Sequence, residues 1–411
     1  MRLWAGETIS IFGSLIGGIA LKLTAIIFLD AGAVEVAVLS ICEFVPPFVV
    51  GPFLGVWVDR LPRRPIMVAA DAGRFVALGS VPLAAVFDVL TVGQLGVVLF
   101  ATSVLGLAFN VAYEAYLPTL ISRERLVEGN SKLTATASAA EVGGFGISGW
   151  LVQALSGPGA VLIDAVSFLA SAVAILRIRT PEPPARPVEE REQVLREALE
   201  GLRVVARNGI LRTFAIVNGL HGFHNGIFSV ALLLYLLDDA DWSPGPLGII
   251  FAVGGVTSLF GAWAAARPWF TSHLGRSLVV SEVFRAASGL GAPLAGGPSV
   301  ASAALLVSSQ VIDAALTFGE IQELSLRQAI TPDSHLGRVS ATMRFAGFGA
   351  NLLGTGVAAV VGELYGAREA LFIAVAAGLV SVVVLATSPV ARLRQLPADH
   401  NTTLAPPLSG P

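Results

Sequence analysis

The sequence predicts an all-α membrane protein in which twelve transmembrane helices form two pseudo-symmetric six-helix bundles. Three observations lead to this fold class. Apolar runs long enough to cross a bilayer recur along the chain, arginine-rich loops alternate with acidic loops between them, and the second half repeats a short polar motif of the first. The apolar runs indicate the number of helices, and the loops indicate the direction in which each helix crosses the membrane. The repeat indicates that the helices form two similar halves.

Composition indicates that lipid surrounds most of the chain. Hydrophobic residues make up 54% of the 411 residues and charged residues only 13%, whereas soluble globular chains carry about 25% charged residues. The mean hydropathy is +0.75. The net charge of -3 and the scattered arginines argue against nucleic acid as a partner. Cys42 is the only cysteine, which excludes a disulfide or a cysteine metal site within one chain, and no cofactor is expected.

The apolar runs are predicted to be helices that cross the membrane. About 20 apolar residues are needed to span ~30 Å of hydrocarbon, where the backbone finds hydrogen-bond partners only within a helix or a closed barrel. The runs lack the alternating pattern of a membrane barrel. The first run lacks a small-residue cleavage site and is expected to be retained as a span. The predicted spans are residues 3–29, 34–57, 66–87, 91–116, 133–156, 159–178, 211–237, 246–266, 277–296, 299–326, 339–362 and 369–388.

Arginines divide the loops into two alternating sets. Because Lys and Arg are retained on the cytoplasmic side of short loops, the arginine-rich set is predicted to be cytoplasmic. That set holds Arg2, Arg60, Arg63, Arg64, Arg123, Arg125, the arginines from Arg179 to Arg212, Arg267, Arg276, Arg338, Arg392 and Arg394. The other set holds Asp30, Asp88, Asp238, Asp239, Asp241 and Arg368. This alternation predicts a multi-pass protein of the plasma (inner) membrane with both termini in the cytoplasm.

The middle of the chain is predicted to be a cytoplasmic linker. Residues 179–210 begin with several prolines, which favour a stiff extended segment, and continue with acidic residues, an apolar face and arginines. This pattern predicts a short amphipathic helix on the cytoplasmic surface. The two bundles are then residues 1–178 and 211–390, and the proline-rich residues 391–411 are predicted to be a disordered cytoplasmic tail.

A polar motif of the first half recurs in the second half at a nearly constant offset, about half the length of the chain. Asp71-Ala-Gly-Arg74 in span three has a counterpart in Glu282-Val-Phe-Arg285 of span nine. A second pair of similar segments precedes spans five and eleven. Parallel repetition of two six-span halves is typical of one large class of secondary transporter.

The loop after span two carries a signature. Residues 55–65 read Gly-Val-Trp-Val-Asp-Arg-Leu-Pro-Arg-Arg-Pro. This glycine, aspartate, arginine and basic pair are similar to the signature of the major facilitator superfamily, which the chain resembles over nearly its whole length. Residues 123–131, 164–168 and 325–342 resemble the branch that contains macrolide-type and enterobactin-type exporters. The resemblance implies the major facilitator fold.

The resemblance also implies a cytoplasmic gate. Gly51 and Gly55 are four residues apart and allow close helix approach, while Asp59 and the basic cluster can form ion pairs or cap a neighbouring helix end. The alternative is that the arginines only set the topology. The implied gating residues are Gly55, Asp59, Arg60, Arg63, Arg64, Asp71 and Arg74. The matching loop of the second half lacks the aspartate, so a second gate is expected to be weaker.

Ionisable residues within the spans are candidates for a substrate and proton cavity. Each costs about 2.5–3.5 kcal/mol near the bilayer centre, and the resemblance implies that spans one, four, seven and ten line the cavity. The candidates are Lys22, Glu43, Glu141, His221, His224, Asp313 and Glu320. Lys22 could instead form a structural ion pair with Glu43 or Asp313. The histidines are expected to form a hydrogen-bonded or proton-accepting pair in preference to a metal site.

A glycine pattern in span five matches a dinucleotide fingerprint only formally. Gly144, Gly146 and Gly149 have the required spacing, but they follow no strand and lie within an apolar run. They are expected to allow close packing of helices.

The leading hypothesis is a secondary active transporter that couples efflux of a small amphipathic solute, drug-, macrolide- or siderophore-like, to protons by alternating access. An uptake symporter is the alternative, because Phe145 occupies the place of a proline in the exporters' span-five signature; a non-transporting sensor is a third hypothesis. No phosphate loop, nucleophile elbow or His-Glu-x-x-His motif occurs, so neither a primary pump nor an enzyme is expected. The expected partners are the solute, protons and membrane lipid, and the expected state is a monomer.

Overall fold

A computed structural model of the chain describes residues 2–59, 61–120, 126–177, 194–265, 267, 272–331 and 333–395. Helices make up nearly all of these ranges, and no strand occurs within them. Nine helical segments of the described chain are long and apolar enough to cross a membrane. The three remaining predicted spans, the second, fifth and ninth, also coincide with helices. The predicted all-α membrane fold with twelve spans is confirmed.

Five helices contain the six spans of the first half. They are α1 (Arg2–Leu23, followed by a π-helical turn, Thr24–Phe28), α2 (Ala33–Asp59), α3 (Arg63–Val86), α4 (Val92–Leu120) and α5 (Leu126–Leu176). The backbone of α5 leaves helical geometry at Ser156, with φ of 64° and ψ of 165°, and Pro158 follows. A left-handed φ and a proline both interrupt helical hydrogen bonding. The two arms of α5 therefore correspond to spans five and six.

Further helices follow in the second half. They are α6 (Val194–Arg207), α7 (Gly209–Leu234, followed by a π-helical turn, Tyr235–Asp239), α8 (Pro244–Ala265), α9 (Leu274–Ser288, followed by the short turn Gly291–Leu294), α10 (Val300–Ser309), α11 (Val311–Ile330), α12 (Asp333–Tyr365) and α13 (Ala367–Thr387). A 3-10 turn, Pro389–Arg392, ends the described helices. Helices α10 and α11 together form span ten.

The chain divides into two compact units. The first comprises Met1–Glu190 with Trp242–Ala252, and the second comprises Arg191–Asp241 with Val253–Pro411. In the first unit α1 packs against α5, and α3 packs against α4 and α5. In the second unit α7 packs against α12 and α13, α9 packs against α11 and α13, and α6 packs against the start of α12. In each unit the first span thus lies against the helices of the last two.

Backbone geometry repeats between the halves. The π-helical turns that end α1 and α7 begin at Thr24 and Tyr235, which are separated by the same offset as Asp71 and Glu282. Asp30 and Asp241 follow these turns at that offset, with left-handed φ of 50° and 53°. The repetition expected from the polar motifs therefore extends to unusual turns that hydropathy does not reveal.

Glycines bring α7 and α12 into close contact. A Cβ added to Gly222 would lie 2.0 Å from the carbonyl oxygen of Gly347, and one added to Gly226 would lie 2.0 Å from that of Asn351. A Cβ on Gly354 would lie 2.1 Å from the carbonyl oxygen of Phe223. Gly222 and Gly226 are four residues apart and share one helix face, the spacing that lets two backbones touch in a membrane.

The glycine pattern of span five also lies at helix contacts. A Cβ on Gly144 would lie 2.9 Å from Cβ of Leu15, and one on Gly149 would lie 2.0 Å from the carbonyl oxygen of Pro244. The expectation that these glycines serve close packing is confirmed for both residues.

Candidate functional site

An ion pair joins the first two helices. Lys22 Nζ on α1 lies 3.3 Å from Glu43 Oε2 on α2, and the side chains are 21% and 30% exposed. The Lys22 ammonium also lies 5.9 Å from the ring centre of Phe44. On the other side, the Ser103 hydroxyl of α4 donates to the backbone carbonyl of Glu43. The Lys22–Glu43 pair is one of the two pairings that the sequence allows for Lys22. Because both side chains are partly exposed, water can reach the pair.

A second ion pair lies deep in the first unit. Asp71 and Arg74 are one helical turn apart on α3 and pair directly, with the aspartate fully buried. The Arg74 guanidinium is 4.7 Å from the ring centre of Phe109 on α4 and 4.0 Å from that of Phe168 on α5. Asp164, also buried, interacts electrostatically with Arg74. One arginine thus links α3, α4 and the second arm of α5.

The corresponding pair in the second unit is Glu282 and Arg285 on α9. Arg285 Nε and Nη2 donate to Glu282 Oε1 at 3.0 and 2.6 Å, and Arg285 is only 2% exposed. Ser381 of α13 accepts from Arg285 Nη2 at 2.9 Å and donates to the Glu282 carboxylate. His221 Nε2 of α7 lies 3.0 and 3.1 Å from the two carboxylate oxygens. Side chains from three helices, α7, α9 and α13, therefore contact the Glu282 carboxylate.

The two buried pairs occupy equivalent positions. Asp71 and Glu282 are separated by the same offset as Arg74 and Arg285, and in both pairs the arginine follows the acid by one helical turn. In each unit the last span supplies a buried serine next to the acid, Ser171 beside Asp71 and Ser381 beside Glu282. The candidate list drawn from the sequence included the first pair only, although opposite charges three residues apart within an apolar run also marked the second.

The two candidate histidines have different surroundings. His221 contacts Glu282 and is partly exposed. His224 is buried, its Nδ1 lies 2.9 Å from the carbonyl oxygen of Ala374, and its ring stacks on Phe228 with the centres 4.5 Å apart. Among the described side chains, no group of three or more His, Cys, Asp or Glu residues is placed to hold a metal ion.

The remaining candidate acids of the second unit lie along α11. Asp313 lies against α8, where a Cβ on Gly254 would be 2.0 Å from its Oδ2. Glu320 is exposed. Further along, Glu323 accepts a hydrogen bond from Asn218 of α7 at 3.0 Å and pairs with Arg327 at 3.4 Å. Glu323 therefore joins α11 to α7, and Asp313 lies where α11 contacts α8.

Arg64 caps a neighbouring helix. Its Nε donates to the carbonyl oxygen of Ile175 at 3.1 Å, and its Nη2 donates to that of Leu176. These carbonyls end α5 and have no partner within the helix. Of the other implied gating residues, Arg63 begins α3. The side chains of Asp59, Arg60 and the candidate Glu141, together with the surroundings of Gly55, lie outside the described residues.

The equivalent position in the second unit makes backbone hydrogen bonds. Gly275 is the residue equivalent to Arg64 in the repeat, and its amide donates to the carbonyl oxygen of Leu393 at 2.9 Å, while the Leu274 amide donates to that of Arg394 at 3.1 Å. A Cβ on Gly275 would lie 2.3 Å from the carbonyl oxygen of Val390. At the position of Arg64, the second unit therefore has a close backbone contact in place of a long side chain.

Replacing Arg64 with glutamine is expected to destabilise the protein by about 1–2 kcal/mol, because two helix-end carbonyls lose a charged donor. Arg344 to glutamine is the control, since it removes an exposed charge from α12, away from this helix end. Unfolding in mixed detergent micelles, followed by circular dichroism, measures both. Equal stability of the two variants would contradict the capping role.

Comparison with known proteins agrees with this architecture. The sequence profile of the Major Facilitator Superfamily matches residues 3–321. The chain is 25% identical over 380 residues to the uncharacterised MFS-type transporter YfiS of Bacillus subtilis (strain 168), a match that covers 91% of this chain and 89% of that protein. It is 26% identical over 382 residues to the multidrug efflux pump Tap of Mycolicibacterium fortuitum, covering 89% and 90%. It is 29% identical over 231 residues to macrolide efflux protein A of Streptococcus pyogenes, covering 54% of each.

A solved structure shares the fold. A bacterial homologue of the iron transporter ferroportin, in its inward-facing state, matches with a TM-score of 0.72 and 18% identity over 93% of this chain and 97% of that chain. The superfamily and the efflux relatives that the sequence motifs predicted are both confirmed. The chain belongs to the Major Facilitator Superfamily and is a multi-pass membrane transporter.

Proposed function

We propose that this transporter exports a small amphipathic solute, drug-, macrolide- or siderophore-like, in exchange for protons by alternating access. The observation that carries the proposal is the similarity to Tap and to macrolide efflux protein A, whose names state efflux; the match to Tap extends over 89% of this chain. Predominantly apolar helices with a few charged groups suit a solute that is itself amphipathic.

Partial exposure supports Lys22 and Glu43 as the proton-responsive pair. Asp71 with Arg74 and Glu282 with Arg285 are buried and held by several neighbours, which suits a structural role. Lys22 and Glu43 keep 21% and 30% of their side-chain surface exposed, so a proton can reach the carboxylate. Protonation would remove the charge of Glu43 and release Lys22, which provides a charge change for each transport cycle. Asp313, Glu320 and Glu141 remain further candidates for the proton.

Replacing Glu43 with glutamine is expected to uncouple transport from the pH gradient, because the amide cannot exchange a proton. Solute flux in proteoliposomes should fall to the value measured without a gradient. Glu35 to glutamine is the matched control, an exposed acid in the first turn of the same helix. The double variant Lys22→Gln/Glu43→Gln removes both charges, and so distinguishes a role of the pair in proton coupling from a role in stabilising the protein. If the double variant regains gradient-driven flux, the pair has only a structural role.

Vesicles of known orientation test the direction of transport. Everted vesicles from cells that lack their own exporters should accumulate macrolides, cationic dyes or siderophores when their interior is acidic. Accumulation in right-side-out vesicles instead, with an inward proton gradient, would favour the uptake symporter. Specific binding without flux in either preparation would favour the sensor.

We further infer that both termini lie in the cytoplasm and that the transporter acts as a monomer. The bundles are proposed to be residues 1–178 and 211–390, with residues 179–210 as a cytoplasmic linker and residues 391–411 as a cytoplasmic tail. The alternating arginine-rich loops support this orientation. Labelling of single cysteines introduced at each terminus, with Cys42 replaced, tests it.

A further inference from the structure

An apolar groove of about 730 Å³ lies within the second unit, bordered by α8, α9 and α11. Phe260, Trp263 and Phe284 line it, and each is more than half exposed. Small residues lie between them, among them Ala314 and Ala315 of α11. None of these residues belongs to the ion pairs described above.

Polar and basic side chains lie at one end of this groove. His273 precedes the first residue of α9, and Arg276 and Ser277 lie in its first turn; all three line the groove. The Arg267 guanidinium lies 4.2 Å from the ring centre of Trp263 and so extends the positive end. Arg276 is exposed, and no described carboxylate pairs with it. The groove is therefore apolar along its length and positive at one end.

We propose that the groove binds an anionic glycerophospholipid of the bilayer, with the phosphate at Arg276 and Arg267 and an acyl chain against Phe260, Trp263 and Phe284. Basic pockets between transmembrane helices recognise anionic lipid headgroups. Exposed aromatic side chains along the groove match an acyl chain in contact area and polarity. A zwitterionic lipid also brings a phosphate, but its ammonium group would lie near the two guanidinium groups and offset the attraction, so the charge pattern favours the anionic class.

Quenching of Trp263 fluorescence tests the proposal on the purified full-length protein. The probes are brominated phosphatidylglycerol and brominated phosphatidylcholine, and the signal of Trp263 is the difference between the unchanged protein and Trp263→Phe. Phosphatidylglycerol should quench Trp263 at a mole fraction about 25-fold lower than phosphatidylcholine, the factor expected for two basic residues at a lipid headgroup. Arg276→Gln should reduce this preference to about fivefold, the contribution of the remaining Arg267. Arg212→Gln, which removes an exposed arginine of α7 outside the groove, should retain the full preference.

A second variant tests the groove itself. Ala315→Phe should fill the space and reduce quenching by both lipids, while the circular dichroism spectrum stays unchanged. Equal quenching by the two lipids in the unchanged protein would overturn the proposal, as would an unaltered preference in Arg276→Gln. The readout does not require transport, so its failure is distinguishable from failure of the export hypothesis.

Discussion

Replacing Glu282 with glutamine is expected to lower the free energy of unfolding by about 3–5 kcal/mol, because removing one member of a buried ion pair leaves the other charge uncompensated. Arg285 is 2% exposed and donates two hydrogen bonds to this carboxylate. His221 and Ser381 would lose the same charged acceptor, because the amide keeps one oxygen and replaces the other with an NH2 group. The measurement is unfolding in mixed detergent micelles followed by helical circular dichroism.

Two further variants decide whether the loss arises from the unpaired charge. Glu363→Gln changes an exposed acid on α12 and should leave stability within about 0.5 kcal/mol of the unchanged protein. Glu282→Leu/Arg285→Leu replaces both charges with apolar groups and should regain part of the lost stability, since burial of two charges itself carries a large desolvation penalty. A double variant less stable than Glu282→Gln would contradict this explanation.

Replacing Gly226 with alanine is expected to cost about 1–3 kcal/mol, the usual range for overpacking a well-packed interior. The added Cβ would lie 2.0 Å from the Asn351 carbonyl oxygen and 2.8 Å from the Thr355 amide nitrogen. Both are backbone atoms of α12, so the two helices must separate before the methyl group can fit. The same unfolding measurement gives the change in stability.

Gly356→Ala provides the control for Gly226→Ala. Gly356 lies on the same α12, but a Cβ there would meet nothing within 4 Å. Alanine has the better helix propensity by about 1 kcal/mol, so this variant should be neutral or more stable. If the two substitutions change the free energy of unfolding equally, the close contact between α7 and α12 does not stabilise the protein.

The spans were predictable from the sequence because bilayer thickness and the need for internal hydrogen bonds restrict both length and composition. The ion-pair repeat was also visible, since Asp71 with Arg74 and Glu282 with Arg285 are opposite charges one helical turn apart in apolar surroundings. The helix break at Ser156 coincides with the predicted gap between spans five and six. These features depend on local sequence alone.

The partners of individual side chains were less predictable, because they depend on which helix faces meet. The sequence allowed Arg64 to form an ion pair or cap a helix, and only the packing of α3 against α5 shows that Ile175 and Leu176 supply the carbonyls. Likewise, the spacing of His221 and His224 did not reveal that one contacts a carboxylate and the other a backbone carbonyl.

The most direct test of proton-coupled export is solute flux into or out of proteoliposomes under an imposed pH gradient. Flux of a macrolide or cationic dye should run against the proton movement, and collapsing the gradient with a proton ionophore should stop concentrative transport. Concentrative flux that continues unchanged after the gradient is collapsed would contradict proton-coupled export by this transporter.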